Sequence, residues 1–248
     1  MFVIEWLFGP PAGGVPHPDT WLSDAELERL ARFRFEKRRS EWILGRFTAK
    51  TVVAAALERR GEPRPNLRSI EIVPEPSGAP YVWDVVSGRR LPVSISISQS
   101  AGRALAALLF TDLPESERCT VGADLEKVEP RSDGFIRTFL TEPERAEVAS
   151  LETPARPARA NEIWSAKEAV LKTLKLGLTV DTWKVECLLA PGPLPEAPPI
   201  LSPEGSGWNR FSVRCAAEIL PPWALSPVFF GFWKEEGGYV LTLAVVRT

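Results

Sequence analysis

The sequence predicts an α+β fold made of two similar halves. The first observation is that segments with helical periodicity are mixed with hairpin-like strand pairs, rather than alternating with single strands as in a parallel-sheet protein. The second is an internal similarity, since residues 47–57 align with residues 164–174 and share four identities. We therefore expect a monomeric pseudo-dimer, with halves at 1–115 and 116–248, a pseudo-two-fold axis, and a site in the cleft between them. A chance match remains the alternative, because Ala, Val and Leu are common in any buried helix.

The first half is predicted to pair two helices with four strands. Ser23 and Glu26 form a capping box that begins the first helix, and apolar residues at helical spacing continue the second helix up to Gly61. Strict alternation in LPVSISIS indicates a strand. The predicted helices are 24–35 and 38–58, and the predicted strands are 69–73, 81–83, 91–98 and 104–110.

The second half is predicted to have a related order. Thr141 and Glu144 form another capping box, and a strongly periodic helix ends near Gly177. A stretch rich in Pro and Gly at 191–203 is expected to be a surface loop. The predicted helices are 141–151 and 161–175, and the predicted strands are 119–125, 182–189, 209–217, 228–235 and 239–246.

The composition excludes several classes of chemistry. Among 248 residues there are one histidine, His17 in a Pro/Gly-rich stretch, and three widely separated cysteines. This inventory provides no His/Cys zinc cluster and argues against a Ser-His-Asp or Cys-His mechanism. Carboxylates, lysines and arginines must therefore carry any catalysis. No signal peptide or apolar run long enough for a membrane is found, so we expect a cytoplasmic protein.

Basic residues are concentrated in one segment. The chain has 30 basic and 32 acidic residues, yet residues 31–68 hold eleven basic against four acidic ones. A basic segment in a protein of net charge −2 indicates a local anion site rather than a nucleic-acid surface. The alternative is a solvated helix face with ion pairs.

Two carboxylates lie at the end of a predicted strand in the sequence VGADLEK. Asp124 and Glu126 are two residues apart, so a strand projects both to the same face. Like charges at this spacing resist ionisation unless a cation lies between them, and Mg²⁺ prefers such oxygen ligands. The alternative is a solvated carboxylate pair on an edge strand.

The predicted helix 161–175 carries a third carboxylate and two lysines. Trp164, Glu168 and Lys172 recur every four residues and so form one line, with Lys167 beside them. An exposed Glu-to-Lys pair is the alternative, but a Trp on the same line indicates a cleft. Three carboxylates for Mg²⁺ and two lysines for phosphates together predict a substrate that contains a diphosphate.

These motifs resemble a known family. VGADLEKVEP followed by WSAKEAVLK resembles the signature pair of the Sfp-type 4′-phosphopantetheinyl transferases. Upstream, KRRSEWILGRFTAK, SGAPYV and SISISQSAG resemble that family's basic helix and two further segments, in the family's order. The resemblance extends from Lys37 to about Leu178, and it implies a pseudo-dimer of two α+β halves with coenzyme A between them.

The resemblance implies the reaction and its participants. A Mg²⁺-dependent enzyme would move phosphopantetheine from coenzyme A to a serine of an apo acyl or peptidyl carrier protein of fatty-acid, polyketide or nonribosomal peptide synthesis, and release 3′,5′-ADP. The first half would face the adenosine and its 3′-phosphate, and the second half the metal and diphosphate. No nucleic acid or membrane partner is implied.

The resemblance also assigns roles to residues. Asp124, Glu126 and Glu168 would hold Mg²⁺, and Glu168, or a metal-bound water that it holds, would be the base. The implied catalytic group is Glu168, Lys172 and Asp124. The residues implied in coenzyme A binding are Arg38, Arg39, Arg46, Ser98, Gln99, Lys167 and Lys172.

Two positions depart from the family pattern. Gln99 stands where the family usually has His, and Ala79 where it usually has Lys, and both family residues contact coenzyme A phosphates. We expect coenzyme A binding weaker by about 1–3 kcal/mol, since two charge-assisted bonds are lost. These departures also leave open a second hypothesis, a non-catalytic relative that binds nucleotide or carrier protein as a regulatory module.

Overall fold

The computed structural model describes residues 3–111, 118–189, 194–195, 199–202, 207–224 and 226–248. Within these ranges the protein is α+β, with helices and antiparallel strands mixed along the chain as the sequence predicts. The helices are α1 (Asp24–Ala31), α2 (Glu36–Arg59), α3 (Asp133–Phe139), α4 (Glu142–Ala149) and α5 (Arg156–Thr173). The strands of the first half are β1 (Val3–Phe8), β2 (Ile70–Pro74), β3 (Pro80–Asp84), β4 (Arg89–Arg90), β5 (Val93–Ser100) and β6 (Arg103–Phe110). Those of the second half are β7 (Cys119–Lys127), β8 (Val185–Leu188), β9 (Ile200–Ser202), β10 (Asn209–Cys215), β11 (Val228–Glu236) and β12 (Tyr239–Arg247).

The strands form three sheets, with orders β5-β6-β1-β9, β7-β12-β11-β10-β8 and β2-β3-β4. Apolar residues of β1 and β6 pack against those of β7, β11 and β12, so a buried core lies between the two larger sheets. Helix α2 packs on the other side of the first of these sheets, and α5 packs on the second. The two long helices therefore cover the outside of a central sheet pair, an arrangement that buries both faces of each sheet.

The order of elements is similar in the two halves, although α3 has no counterpart among the helices of the first half. In each, the first strand pairs antiparallel with the last one, β1 with β6 and β7 with β12, and that last strand pairs with the one before it. Between them stand a short capping-box helix and a long helix, α1 and α2 in the first half and α4 and α5 in the second. The pseudo-two-fold axis and the division at 115/116 stay predictions. Strand β9, from the second half, extends the first half's sheet beside β1.

The two halves meet along β5 and β7, where serine side chains bridge the strands. Ser94, Ser96 and Ser100 accept hydrogen bonds from the backbone N–H groups of Val121, Ala123 and Lys127, at 2.9 to 3.2 Å. These serines share one face of β5 because side chains in a strand alternate. Hydroxyl groups thus satisfy backbone donors that would otherwise be unpaired between two sheets.

Some element boundaries differ from the sequence predictions. The helix predicted at 24–35 ends at Ala31, because the chain becomes extended at Phe35 before α2. The helix predicted at 161–175 begins at Arg156, since Pro157 is tolerated in a first helical turn, and it ends at Thr173. The sequence reading missed β1, β4 and α3. The predicted loop 191–203 contains β9, and its residues 191–193, 196–198 and 203 lie outside the described residues.

Candidate active site

Strand β7 and helix α5 lie unusually close together at Gly122. A Cβ at this position would come within 1.9 Å of the carbonyl oxygen of Ala169. Glycine therefore permits the contact, and any larger residue would push the helix away from the strand. This approach brings Asp124 and Glu126, which follow Gly122 on the same face of β7, against the α5 side chains.

Asp124 is the centre of this cluster. It is 1% exposed, and its Oδ1 accepts hydrogen bonds from Lys172 Nζ at 2.7 Å and from Ser98 Oγ at 2.8 Å. The ammonium of Lys172 also donates to the carbonyl oxygen of Ala123 at 3.1 Å. Asp124 Oδ2 is buried and has no hydrogen-bond partner among the described residues. A buried carboxylate oxygen without a partner is costly, so this atom indicates a position for a cation.

Glu168 lies beside Asp124 on α5. Burial raises its pKa to about 7, and repulsion from Asp124 adds to the increase, while Lys172 opposes it. Its Oε2 is 3.9 Å from Lys172 Nζ. A carboxyl group that titrates near neutral pH can both accept a proton and bind a cation when it is ionised.

Both carboxylate oxygens of Glu126 accept hydrogen bonds from protein side chains. Its Oε1 accepts from Trp164 Nε1 at 3.2 Å, and its Oε2 accepts from Arg131 Nη2 at 2.7 Å. Burial is the main cause that raises its pKa, and the charge of Asp124 adds to it. Arg131 is a member of the site that sequence reasoning missed, because nothing in the motif marks it.

The donor set fits Mg²⁺ at the Asp124 and Glu168 end of the cluster. Asp124 Oδ2 has no hydrogen-bond partner among the described residues, and burial together with the charge of Asp124 raises the pKa of Glu168, so these two carboxylates would accept a cation in addition to Lys172. In the described part of the chain, no group of three His, Cys, Asp or Glu side chains has the arrangement of a metal site. Mg²⁺ commonly takes one or two protein carboxylates and completes its shell with phosphate oxygens and water, so two carboxylates suffice.

A cavity of about 620 Å³ is lined by both halves, and Lys172 is the member of the cluster that lines it, whereas Asp124, Glu126 and Glu168 do not. The first half contributes the turn 77–80 and strand β5, and the second half contributes the start of β7 and the end of α5. Three cationic side chains line it, Arg90, Lys172 and Lys175. The cavity is thus a site between the halves with positive charge, linked to Asp124 through Lys172, an arrangement suited to a phosphorylated ligand.

The structure does not bring Lys167 to the carboxylates. Its side chain is fully buried, and its Nζ lies 2.6 Å from Oε2 of Glu144, which is itself fully buried. Glu144 also accepts the N–H groups of Thr141 and Cys187. Lys167 therefore neutralises a buried carboxylate in the interior, and its ammonium is not available to a phosphate.

The basic residues of α2 lie elsewhere as well. Arg46 is not among the residues that line the cavity, and its guanidinium packs 5.0 Å from the Trp42 ring. Burial lowers the pKa of Arg46 to about 10, although Glu26 opposes this. Arg38 is exposed, and Arg39 lies 3.8 Å from Glu36 at the start of the helix. Arg46 Nε is nevertheless buried with no hydrogen-bond partner among the described residues, so the role of Arg38, Arg39 and Arg46 in anion binding stays a prediction.

Ser98 and Gln99 occupy neighbouring positions with different surroundings. Ser98 donates to Asp124 and so orients the central carboxylate rather than facing the cavity. Gln99 is exposed, and its Nε2 lies where a Cβ on Gly45 would be, at 1.8 Å. Gly45 thus makes room for Gln99. The alternation in SISISQS could have shown that Ser94, Ser96 and Ser98 share one face, but it does not show that β7 lies opposite.

Comparisons with known proteins support part of the family resemblance. Residues 120–225, which include the Asp124 and Glu168 motifs, match the family described as the 4′-phosphopantetheinyl transferase superfamily. No curated protein matches the chain. A solved structure titled as apo-ACPS of Chronobacterium ammoiniagenes is 18% identical, covers 53% of this chain and 97% of its own, and has a TM-score of 0.39.

Among the described residues, no helix is both long enough and apolar enough to cross a bilayer.

Proposed function

We propose that this protein is a Mg²⁺-dependent, Sfp-type 4′-phosphopantetheinyl transferase that acts on coenzyme A and an apo carrier protein. The observation that carries the proposal is the cluster of Asp124, Glu168 and Lys172 beside a cavity lined by both halves. The superfamily match supports it, because the matched segment contains all three residues. The products would be a holo carrier protein and 3′,5′-ADP.

Each residue has a task that follows from its contacts. Asp124 is held rigidly by Ser98 and Lys172, so its unpaired Oδ2 is a fixed ligand for Mg²⁺. Lys172 is 26% exposed and lines the cavity, so it can place positive charge beside a diphosphate. Fixed positive charge stabilises a reaction in which negative charge develops on phosphate oxygens. When bound, Mg²⁺ supplies further stabilisation of that charge as a Lewis acid.

Glu168 is the group suited to the proton of the carrier serine. Its pKa of about 7 means that an appreciable fraction is ionised at neutral pH, and the protonated form remains accessible. General bases work best when their pKa is near the working pH. The only histidine, His17, is exposed near the N-terminus and paired with Asp19 at 3.4 Å. We therefore assign the base to Glu168 or to a water that it holds.

The proposal is tested by intact-mass measurement of an apo carrier protein incubated with coenzyme A, Mg²⁺ and this protein. The carrier should gain the mass of phosphopantetheine, and Asp124→Asn should abolish the gain because the fixed ligand loses its charge. Glu142→Gln is the matched control, since Glu142 is an 82% exposed carboxylate outside the cavity. No gain with wild-type protein across fatty-acid, polyketide and peptide carriers would contradict the proposal.

One observation favours the second hypothesis, a non-catalytic module. Arg131 already neutralises Glu126, so one carboxylate of the motif is satisfied without a metal. Such a module would bind coenzyme A equally well with and without Mg²⁺ in a calorimetric titration. The proposed enzyme should bind coenzyme A more tightly when Mg²⁺ is present, because Asp124 and Glu168 would hold the ion and its positive charge would attract the diphosphate.

A further inference from the structure

Arg131 is an internal counter-ion of the carboxylate cluster. Its Nη2 donates to Glu126 Oε2 at 2.7 Å, and both side chains are largely buried. Lys172 stands in the same relation to Asp124, also at 2.7 Å. Charges attract more strongly where water is excluded, so each of these pairs holds its carboxylate firmly. The two carboxylates of β7 therefore each have a cation of their own, one from α5 and one from the segment that follows β7.

The guanidinium of Arg131 is also anchored by uncharged groups. Its Nε donates to Asn161 Oδ1 at 2.7 Å, and it packs 4.9 Å from the Phe135 ring. Asn161 is fully buried, and its Nδ2 donates to two backbone carbonyl groups at 2.6 and 2.7 Å, so the orientation of its amide is fixed. The guanidinium therefore keeps its position without depending on its ion pair.

A second carboxylate lies within reach of Arg131. Glu129 Oε1 is 3.6 Å from Arg131 Nη1, and the Glu129 side chain is 56% exposed. An ion pair at the surface is weak, so Glu126 is the preferred partner when no other cation is present. Glu129 can take over the guanidinium when Glu126 binds another cation. Arg131 thus has two alternative partners, one inside the cluster and one at its edge.

Glu126 is the carboxylate for which a bound metal ion and Arg131 would compete. It follows Asp124 on the same face of β7, and the charge of Asp124 adds to the rise in its pKa, so the two groups are close enough to repel each other. A divalent cation at the unpaired Oδ2 of Asp124 would relieve this repulsion and attract Glu126. The attraction of Glu126 to Arg131 opposes that gain.

Resting on the proposed function, we propose that Arg131 competes with Mg²⁺ for Glu126 and thereby keeps the affinity of the substrate-free protein for Mg²⁺ low. Arg131 pairs with Glu126 when the metal is absent and with Glu129 when the metal is bound. Mg²⁺ completes its shell with phosphate oxygens when the protein supplies few carboxylates. The ion is then held firmly only together with the diphosphate of the substrate.

Calorimetric titration of Mg²⁺ into the protein without coenzyme A tests the proposal. Arg131→Gln should bind Mg²⁺ about tenfold more tightly than wild-type protein, which corresponds to about 1.4 kcal/mol, because Glu126 is released. Arg131→Met keeps an apolar stem against Phe135 and should show the same gain. The double variant Arg131→Gln/Glu126→Gln should bind Mg²⁺ as Glu126→Gln alone does, since no carboxylate is left to compete for.

Arg159→Gln is the matched control. Arg159 is also a largely buried arginine with two carboxylate partners, but these partners, Glu147 and Glu162, lie outside the cluster. The control should bind Mg²⁺ as wild-type protein does. Unchanged or weaker binding by the Arg131 variants would overturn the proposal. An equal gain with and without Glu126 would also overturn it, because such a gain would reflect net charge alone.

The outcome is independent of the transfer reaction. If the Arg131 variants bind Mg²⁺ more tightly through Glu126, yet wild-type protein transfers nothing to any carrier, the transferase proposal alone fails. If wild-type protein transfers phosphopantetheine and the Arg131 variants bind Mg²⁺ as it does, the competition at Glu126 alone fails.

Discussion

The two halves of the molecule contain the same buried ion pair. In the first half Glu26 closes the capping box of α1 and binds Lys50, and in the second Glu144 closes that of α4 and binds Lys167. Both lysines are fully buried. The second carboxylate oxygen accepts a strand N–H in each case, from Ile72 and from Cys187. A lysine inside a signature motif can thus be part of the scaffold.

The halves differ in the residues that follow those lysines. At the same offset of 117, the first half has Thr51 where the second has Glu168, and Ala55 where the second has Lys172. The scaffold is therefore common to both halves, and the charges of the candidate site occur in one of them. This contrast separates supporting residues from candidate catalytic ones more clearly than the motif alone.

The largest expected effect comes from breaking either buried pair. Lys50→Met and Lys167→Met should each lower the free energy of unfolding by about 3–5 kcal/mol, because a buried carboxylate is left without its partner. Urea denaturation measures the loss. The double variant Glu144→Gln/Lys167→Met should recover part of it, since glutamine removes the unpaired charge and keeps one acceptor for the N–H groups of Thr141 and Cys187. A loss below about 1 kcal/mol in one half only would show that the two pairs are not equivalent.

A smaller expected effect is the pH dependence of the free energy of unfolding, which arises from Glu162 in the second half. Burial raises the pKa of Glu162 to about 8, and the neighbouring Glu235 and Glu147 add to this while Arg159 opposes it. Glu162 is then protonated in the folded state. Its contribution to stability is fully present below about pH 4.5 and is lost as the pH rises through about 8.

Glu162→Gln tests this dependence, since glutamine keeps the shape and does not titrate. In urea denaturation without metal, the free energy of unfolding of the variant should fall less between about pH 5 and pH 9 than that of wild-type protein. The counterpart of Glu162 in the first half is Gly45, so no equivalent variant exists there. Parallel pH profiles for the variant and wild-type protein would contradict the account.

The smallest effect is at the contact between the halves. Ser96→Ala should lower the free energy of unfolding by about 1–3 kcal/mol, because the buried N–H of Ala123 loses its acceptor. Ser98→Ala should instead affect transfer to a carrier more than stability, since Ser98 orients Asp124. Thermal unfolding measures the loss of stability in Ser96→Ala, and initial transfer rates measure the loss of activity in Ser98→Ala. Identical behaviour of the two variants would argue against distinct roles for them.

The sequence predicted the fold class, the strand that carries Asp124 and the helix that carries Glu168, because these depend on local periodicity. Gly122 and the two-residue spacing of Asp124 and Glu126 were enough to place the carboxylates on one face. The missed strand β1 is short and lacks alternation, so it gives a weak local signal.

What the sequence could not show depends on contacts between distant segments. Lys167 lies beside Glu168 in the motif, yet only the position of Glu144 reveals that its ammonium is buried. The partnership of Glu75 with Lys175 spans 100 residues, and no local pattern predicts it. Arg46 likewise belongs to a basic helix, but packing against Trp42 decides where its guanidinium lies.

The central claim is that the charges found only in the second half perform phosphopantetheine transfer. The most direct measurement is the transfer rate and the melting temperature of Glu168→Gln beside wild-type protein, with coenzyme A, Mg²⁺ and an apo carrier. We expect the rate to fall by at least about 100-fold, since a general base is lost. The melting temperature should stay unchanged or rise, because glutamine removes a carboxylate that Asp124 repels. Transfer at the wild-type rate would contradict the account.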